Sequence, residues 1–240
     1  MATYSSKRFM EKLKSCVQDD SFSDVIIRTE DSQFAVHRVI LSCHSDYFSK
    51  QLNGPWKESL ERVIEITNFD TSVVGAMVQF MYNFDYTNES NESAMVFDAQ
   101  VYQIADKYDI SALKDHAKAK FETKIKTGWY TDDFPTVVET VYTTTPLEDR
   151  GLRDLVVETA SVNLEKLICR DGFCQALRTT IDFVADLVPF KRDKPVEEIR
   201  SYKCPFCHEV FQFDDPGTKY RHCPRCGSQF SVWARHVINL

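Results

Sequence analysis

The chain is poor in the residues and patterns that several common protein classes require. It contains only 7 Gly and 8 Pro in 240 residues, which excludes collagen-like and low-complexity sequences. No apolar run approaches the ~18 residues of a membrane span. The first residues also lack the apolar stretch of a signal peptide. We therefore expect a globular protein of the nucleus or the cytoplasm.

Catalytic motifs are absent as well. No glycines are spaced for a G-x-G-x-x-G phosphate loop, and neither G-x-S-x-G nor H-E-x-x-H occurs. Cys43 and His44 are adjacent, but neighbouring side chains on a helix diverge by ~100° and cannot act as a nucleophile with its base. The sequence therefore favours a binding protein over an enzyme.

The net charge of -7 is divided unevenly along the chain. Residues 190–240 contain nine Lys/Arg and six Asp/Glu, a balance of 9 - 6 = +3, so residues 1–189 carry -7 - 3 = -10. An acidic body argues against nucleic-acid binding by that part of the chain. The question stays open for the basic tail alone.

Four of the eight cysteines are grouped as C-x2-C-x15-C-x2-C within that tail. They are Cys204, Cys207, Cys223 and Cys226. Two thiolates three residues apart can face one cation across a tight turn, and two such turns complete a tetrahedron. The pattern predicts one structural zinc ion in a small ribbon over residues 203–236. An iron centre and metal-free thiols are the alternatives.

The residues beside the cysteines bear on this prediction. Pro205 and Pro224 favour the two turns, and Gly227 follows the second turn, where a positive φ is often needed. His208 occupies the matching place after the first turn and fits it less comfortably. His208 or His222 replacing one cysteine ligand is an alternative to the four-cysteine site.

Residues 20–126 show the hydrophobic pattern of an α+β domain. Residues 24–29 alternate as a strand, and residues 33–36 return as its hairpin partner. Apolar residues then recur at helical spacing over 36–48, and a further strand follows at 62–66. Three helical stripes complete the order β-β-α-β-α-α-α.

Several of these segments resemble the BTB/POZ domain. They are Phe22-Ser23-Asp24-Val25-Ile26-Ile27, Phe34-Ala35-Val36-His37-Arg38-Val39-Ile40-Leu41-Ser42 and Ile104-Ala105-Asp106-Lys107-Tyr108. The resemblance implies a three-stranded sheet with helices and an interaction module that is commonly a homodimer and not an enzyme. The short domain, without a kelch or MATH partner, is similar to BTB proteins of filamentous fungi.

The resemblance also suggests roles for individual residues. It implies that Asp24 and Arg38 lie in a charged pocket near a dimer interface; the alternative is that Asp24 caps or pairs locally. His37 is expected to be packed and hydrogen-bonded. Trp56 and Glu58 resemble the segment by which BTB adaptors bind the cullin scaffold of ubiquitin ligases. The alternative is that Trp56 covers the domain's own core.

The remaining segments complete the predicted organisation. Residues 1–19 have amphipathic helical spacing, residues 127–189 form a helical extension after the BTB domain, and residues 190–202 form a linker. The predicted function is BTB-mediated dimerisation and recruitment of protein partners, with a cullin-type substrate adaptor as its specific form. The alternative is a transcription- or nucleic-acid-associated protein whose zinc ribbon contacts DNA, RNA or a nuclear partner.

Overall fold

The computed structural model describes residues 22–193, 200–213, 221–230, 237 and 238, together with Arg8, Glu11, Lys12 and Lys14. Apart from those four helical residues, the helix predicted over residues 1–19 lies outside the described residues. The chain divides into two compact units, residues 1–187 and residues 188–240. None of the described helices is both long and apolar enough to cross a membrane.

The first unit has a small sheet and many helices, which confirms the α+β prediction. Its strands are β1 (Val25–Arg28), β2 (Gln33–Val36) and β3 (Val63–Glu65). The helices before the extension are α1 (Arg38–His44), α2 (Asp46–Asn53), α3 (Lys57–Glu61), α4 (Thr71–Asn83), α5 (Ala94–Lys107) and α6 (Ser111–Gly128).

The sheet has the order β2-β1-β3, with β1 in the centre. Strand β1 runs antiparallel to β2 and parallel to β3, and Ile27 is paired with both Phe34 and Ile64. Val25 and Ile27 are buried while Arg28 is exposed, because alternate side chains of a strand point to opposite faces. The alternation in the sequence therefore predicted the hairpin correctly.

Two local features differ from the sequence pattern. The helical stripe over 36–48 divides at Ser45, whose Oγ accepts the Phe48 N–H at 3.0 Å and donates to the Tyr108 carbonyl at 2.5 Å. Serine is a preferred N-cap, so it begins α2 as a separate helix. Helix α3 was not predicted, since five residues are too few to show a helical period; it ends at Arg62, with φ of 57°.

The core of the first unit lies among the sheet and helices α4 to α6. Phe48, Phe97 and Phe121 are fully buried there. A buried carboxylate is satisfied inside this core: Asp98 accepts the Tyr86 hydroxyl at 2.8 Å and pairs with the Lys124 Nζ at 2.7 Å. Burial of a charge is tolerated because both its partner and its hydrogen bond are present.

Four helices form the extension. They are α7 (Phe134–Thr144), α8 (Arg150–Leu167), α9 (Asp171–Thr179) and α10 (Ile181–Asp193). Asp149 caps α8 by accepting the Gly151 N–H at 2.9 Å. It also accepts the Tyr102 hydroxyl of α5 at 2.7 Å and pairs with the Lys114 Nζ of α6 at 2.7 Å. This carboxylate therefore joins the extension to the BTB-like helices.

The second unit contains short strands around the cysteine cluster. They are β4 (Arg200–Lys203), β5 (Val210–Phe213), β6 (Arg221–His222), β7 (Gln229–Phe230) and β8 (Val237–Ile238). Strand β4 lies between β5 and β8, and β6 pairs with β7. The predicted linker over 190–202 is thus shorter than expected at both ends. Helix α10 continues through Pro189 to Asp193, and Tyr202 is a buried residue of β4.

Candidate metal centre and partner surface

The four cysteines predicted as ligands come together in the structure. Their Sγ atoms all lie within 4.8 Å of one another. The Sγ atoms of Cys204 and Cys226 are 3.7 Å apart, and those of Cys207 and Cys223 are 3.6 Å apart. A tetrahedron of sulfurs ~2.3 Å from a central ion has edges of ~3.8 Å. The cluster therefore has the size and the donor atoms of a metal site.

Two copies of one turn build this cluster. In the first copy, the Cys204 N–H donates to the Glu209 carbonyl at 2.9 Å and the His208 N–H donates to the Cys204 carbonyl at 3.0 Å. The second copy repeats both bonds nineteen residues later, with Cys223, Ser228 and Gly227 in the matching places and distances of 2.9 and 3.0 Å. Each turn holds two sulfurs on one side.

The residue after each turn adopts the left-handed conformation. His208 has φ of 57° and Gly227 has φ of 73°. Only glycine takes such angles without a steric cost, so His208 is strained where Gly227 is not. The sequence had indicated this difference. His222 lies outside the cluster, where its Nδ1 lies 3.1 Å from the Gly227 carbonyl.

The thiols of the cluster differ in acidity. Hydrogen bonds with the Ser228 side chain and backbone lower the pKa of the Cys226 thiol to about 6. Burial raises the pKa of Cys204, but hydrogen bonds from the Cys207 and Phe206 backbone outweigh it and lower the pKa overall. The Glu209 backbone lowers the pKa of Cys207, yet burial and the neighbouring thiols raise it to about 12. A cation that binds here displaces the remaining protons.

The predicted partner-binding residues lie on the first unit. Trp56 precedes α3 and is 59% exposed, so it does not serve mainly to cover the core. Leu60, four residues further along α3, is 83% exposed. Glu58 is half-buried in the first turn of the same helix. We call Tyr47, Trp56, Glu58 and Leu60 the Trp56 surface.

Sequence reasoning missed the other walls of this surface. Tyr47, Lys50 and Gln51 of α2 and Asp109, in the turn between α5 and α6, line the same cleft as Trp56 and Glu58. No residue type or spacing links positions 47 and 109. The sequence does show that the helical hydrophobic pattern is interrupted after Tyr108, which indicates a turn. It does not indicate that this turn packs beside α2.

The residues predicted for a charged pocket have local partners. The Asp24 Oδ1 accepts the Arg38 backbone N–H at 2.8 Å, and the Arg38 Nη2 donates to the Asn53 Oδ1 at 2.5 Å. Asp24 therefore contributes to the start of α1, while a role of either residue at a dimer interface stays a prediction. The His37 Nδ1 lies 2.7 Å from the Tyr82 hydroxyl, in the packed position expected for it.

Comparisons with known proteins agree with this architecture. The BTB/POZ domain family model matches residues 13–125. Human Kelch repeat and BTB domain-containing protein 4 is 22% identical over 191 residues, which is 79% of this chain and 33% of that protein. BTB and MATH domain-containing protein 40 of Caenorhabditis elegans is 40% identical over 86 residues, 35% of this chain and 21% of that protein. The chain thus spans a third or less of the length of these relatives.

A solved structure was also found. The BTB domain of zebrafish PATZ1 matches with a TM-score of 0.41 and 17% identity, over 51% of this chain and 99% of that domain. Residues 13–125 of the present chain are a BTB/POZ domain. The chain accordingly contains a BTB/POZ domain followed by a helical extension and a C-terminal cysteine cluster, and this domain supports a role as a protein-interaction module.

Proposed function

We propose that this protein is a non-enzymatic adaptor of the nucleus or cytoplasm, which dimerises through its BTB domain and recruits a cullin scaffold through the Trp56 surface. The observation that carries the proposal is the exposure of Trp56 and Leu60 beside the carboxylate of Glu58. A large, exposed aromatic side chain next to a charge is typical of the centre of a protein interface. The BTB/POZ match over residues 13–125 and the similarity to a protein named for its kelch repeats and BTB domain add support.

The direct experiment is a pull-down of the purified full chain with the N-terminal region of a cullin. Glu58→Lys is expected to abolish capture, because it reverses a charge beside Trp56 within the contact. Glu92→Lys is the matched control. It makes the same change of charge in the loop between α4 and α5, where the Glu92 side chain forms no ion pair with any described residue. Absence of capture by the wild type contradicts the cullin proposal.

Dimerisation requires its own measurement. We expect the full chain to sediment as a dimer at micromolar concentration in analytical ultracentrifugation. A chain that stays monomeric over the whole concentration series contradicts the proposal for the BTB domain. The cullin result does not depend on this outcome, so the two parts of the proposal can fail separately.

We further propose that the four thiolates bind one zinc ion with a structural role. Four sulfur ligands close the coordination shell of zinc and leave no open position for a substrate. One zinc per chain is expected from elemental analysis of freshly purified protein. Iron in its place, or metal-free protein that keeps the folded ribbon, contradicts the assignment.

Nucleic-acid binding by the tail is the second candidate, and the described surface favours a protein contact instead. Phe206 is 67% exposed and Val210 is 48% exposed, while Arg225 is already paired with Glu209. Four thiolates and one zinc ion add about -2, which reduces the tail's charge from +3 to about +1. Binding of the full chain to a DNA duplex that weakens steeply with salt would support the nucleic-acid alternative.

A further inference from the structure

A cleft of about 480 Å³ opens beside Trp56, between α2, α3 and the turn that joins α5 to α6. The described residues that line it are Tyr47, Lys50, Gln51, Trp56, Glu58 and Asp109. Its volume falls in the range of ligand sites, roughly 300–1,000 Å³. The cleft is therefore large enough to accept a side chain of a partner together with its neighbouring backbone.

The two aromatic walls are held in place by the fold. A Cβ atom on Gly54 would lie 2.6 Å from the Trp56 Cδ1, so only glycine at this position lets the indole pack so closely. The Tyr47 ring packs edge-on against Phe48 and Tyr108, with centroids 5.7 and 5.3 Å apart. Both rings nevertheless stay substantially exposed, at 42% for Tyr47 and 59% for Trp56. They form prearranged π surfaces at the mouth of the cleft.

The charge of the cleft is negative on balance. Glu58 and Asp109 contribute two carboxylates, and Lys50 contributes one ammonium group. Neither carboxylate forms a hydrogen bond or an ion pair with any residue in the described part of the chain. The Oε1 of Gln51, a further lining residue, is also a buried acceptor that no described group satisfies. The cleft thus offers two unpaired carboxylates and one unsatisfied amide oxygen as acceptors.

The local structure around Asp109 does not require a carboxylate. Asp109 ends α5 with φ of 52°, and the Ile110 N–H beyond it bonds to the Ala105 carbonyl at 2.9 Å. Helix ends of this kind favour glycine or asparagine. The Asp109 carboxylate lies between the C-terminus of α5, whose dipole disfavours a negative charge, and the N-terminus of α6, whose dipole favours one. Neither the left-handed turn nor the two helix ends therefore requires a carboxylate at this position, and the carboxylate is free to serve the cleft.

We propose that this cleft binds an arginine side chain of the protein partner, with the guanidinium against Trp56 and Tyr47 and its N–H groups on Glu58 and Asp109. Arginine fits better than lysine because its planar group stacks on aromatic rings and directs five N–H donors to several acceptors. The proposal deepens the function assigned to the Trp56 surface and rests on a protein partner docking there.

The test uses small probes on the full chain. The peptide acetyl-Gly-Arg-Gly-amide is titrated into 15N-labelled protein while the Trp56 indole N–H and the Asp109 backbone N–H are followed by NMR. Saturable shifts of both signals are expected. The citrulline peptide, which has nearly the same shape and no charge, is expected to bind at least tenfold more weakly. The lysine peptide is expected to bind several-fold more weakly than the arginine peptide.

Variants locate the binding within the cleft. Glu58→Gln and Asp109→Asn each remove one charge and keep nearly the same shape, and asparagine also accepts the positive φ at position 109. Each is expected to weaken binding of the arginine peptide about five- to tenfold. Glu61→Gln is the matched control, because Glu61 lies on the same short helix, pairs with Lys57 at 3.5 Å and does not line the cleft. It is expected to leave the affinity unchanged.

Three results overturn the proposal: no shift with the arginine peptide, equal affinity for the citrulline peptide, or equal affinity for the lysine peptide. These outcomes are separate from those of the cullin pull-down. Binding of the arginine peptide without capture of the cullin region would defeat only the choice of partner. Capture of the cullin region without peptide binding would defeat only the arginine site.

Discussion

The two compact units of this chain use different means to stabilise a fold. The first unit has a core built by side chains, with Phe48, Phe97 and Phe121 among its fully buried residues. Among the described residues of the second unit, the core consists of Tyr202, Cys204 and Cys223, with Cys207 and Phe211 packed against it. Three of these five residues are members of the sulfur cluster.

This difference follows from size. A segment of about 50 residues buries too little apolar surface to offset the conformational entropy lost on folding, whereas a unit of more than 150 residues does so readily. If the four thiolates of the second unit bind an ion as we propose, that binding would supply the missing free energy. The proposed metal centre would in this sense be part of the core of the ribbon, and the predictions below test that view.

Loss of one cysteine ligand has the largest expected effect. Cys223→Ser should release the metal and unfold the ribbon, because structural zinc contributes about 10–16 kcal/mol of apparent binding free energy. The BTB domain and the helical extension should keep their fold, since they form a compact unit of their own. Elemental analysis together with a 1H–15N NMR spectrum measures both effects in one sample.

Cys43→Ser is the control for this variant. Cys43 is an exposed thiol of α1 and lies outside the cluster. It should retain one metal ion per chain and an unchanged spectrum of the ribbon. If Cys223→Ser keeps the ribbon signals in place, the view that the ion holds this unit together is wrong.

The opposite experiment removes a side chain from the core of the first unit. Phe97→Ala should destabilise the BTB domain by about 3–5 kcal/mol, because it leaves a cavity where a fully buried ring stood. The metal content should stay at that of the wild type. Urea unfolding followed by tryptophan fluorescence gives the stability. Val162→Ala, at an exposed position of α8, should change it by less than about 0.5 kcal/mol.

Acid should weaken the contact between the extension and the BTB helices through Asp149. Burial raises the pKa of this carboxyl, but bonds from Lys114 and Tyr102 outweigh it and lower the pKa overall. A lowered pKa in the folded state gives stability that is present above the unfolded value of about 3.9 and is lost as the pH falls through the folded value. The extension should therefore lose part of its support below about pH 4.

Asp149→Asn isolates this contribution. Asparagine keeps the cap of α8 and a partner for Tyr102 but loses the ion pair with Lys114. The variant should be less stable than wild type by about 1–2 kcal/mol at pH 7, and the difference should shrink towards pH 3. Asp132→Asn is a fully exposed control, whose one ion pair among the described residues is with Arg170 at 3.5 Å, and it should show no such trend. A difference that is independent of pH would contradict the assignment to Asp149.

Much of the fold was predictable because periodicity and spacing are local signals. The alternation of Val25 and Ile27 indicated β1, and two C-x2-C pairs indicated the sulfur cluster. The same local reasoning placed the start of the ribbon too late, at residue 203, whereas strand β4 begins at Arg200. Strand β4 lies in a charged segment with Pro195 nearby, and its burial at Tyr202 depends on pairing with strands that come later in the chain.

The cleft beside Trp56 could not be predicted for a related reason. Its walls come from α2, from α3 and from a turn more than 50 residues further along, and only the packed fold brings them together. The sequence around Asp109 marks the end of a helix. Nothing in that local pattern indicates that its carboxylate lies beside Trp56. A sequence pattern can thus mark Trp56 and Glu58 but not the cavity that they share with Asp109.

The smallest predicted effect compares the two turns of the ribbon with each other. His208→Gly should stabilise the metal-bound ribbon by about 0.5–1 kcal/mol, since it removes a left-handed strain of about 1–2 kcal/mol and adds some entropy to the unfolded chain. Gly227→Ala should destabilise the ribbon by a similar amount, although a Cβ atom there would meet no neighbour within 4 Å. The cost comes from its φ of 73° alone. Rates of metal loss to a chelator should fall for the first variant and rise for the second, and a change of the same sign in both would show that backbone strain does not distinguish the two turns.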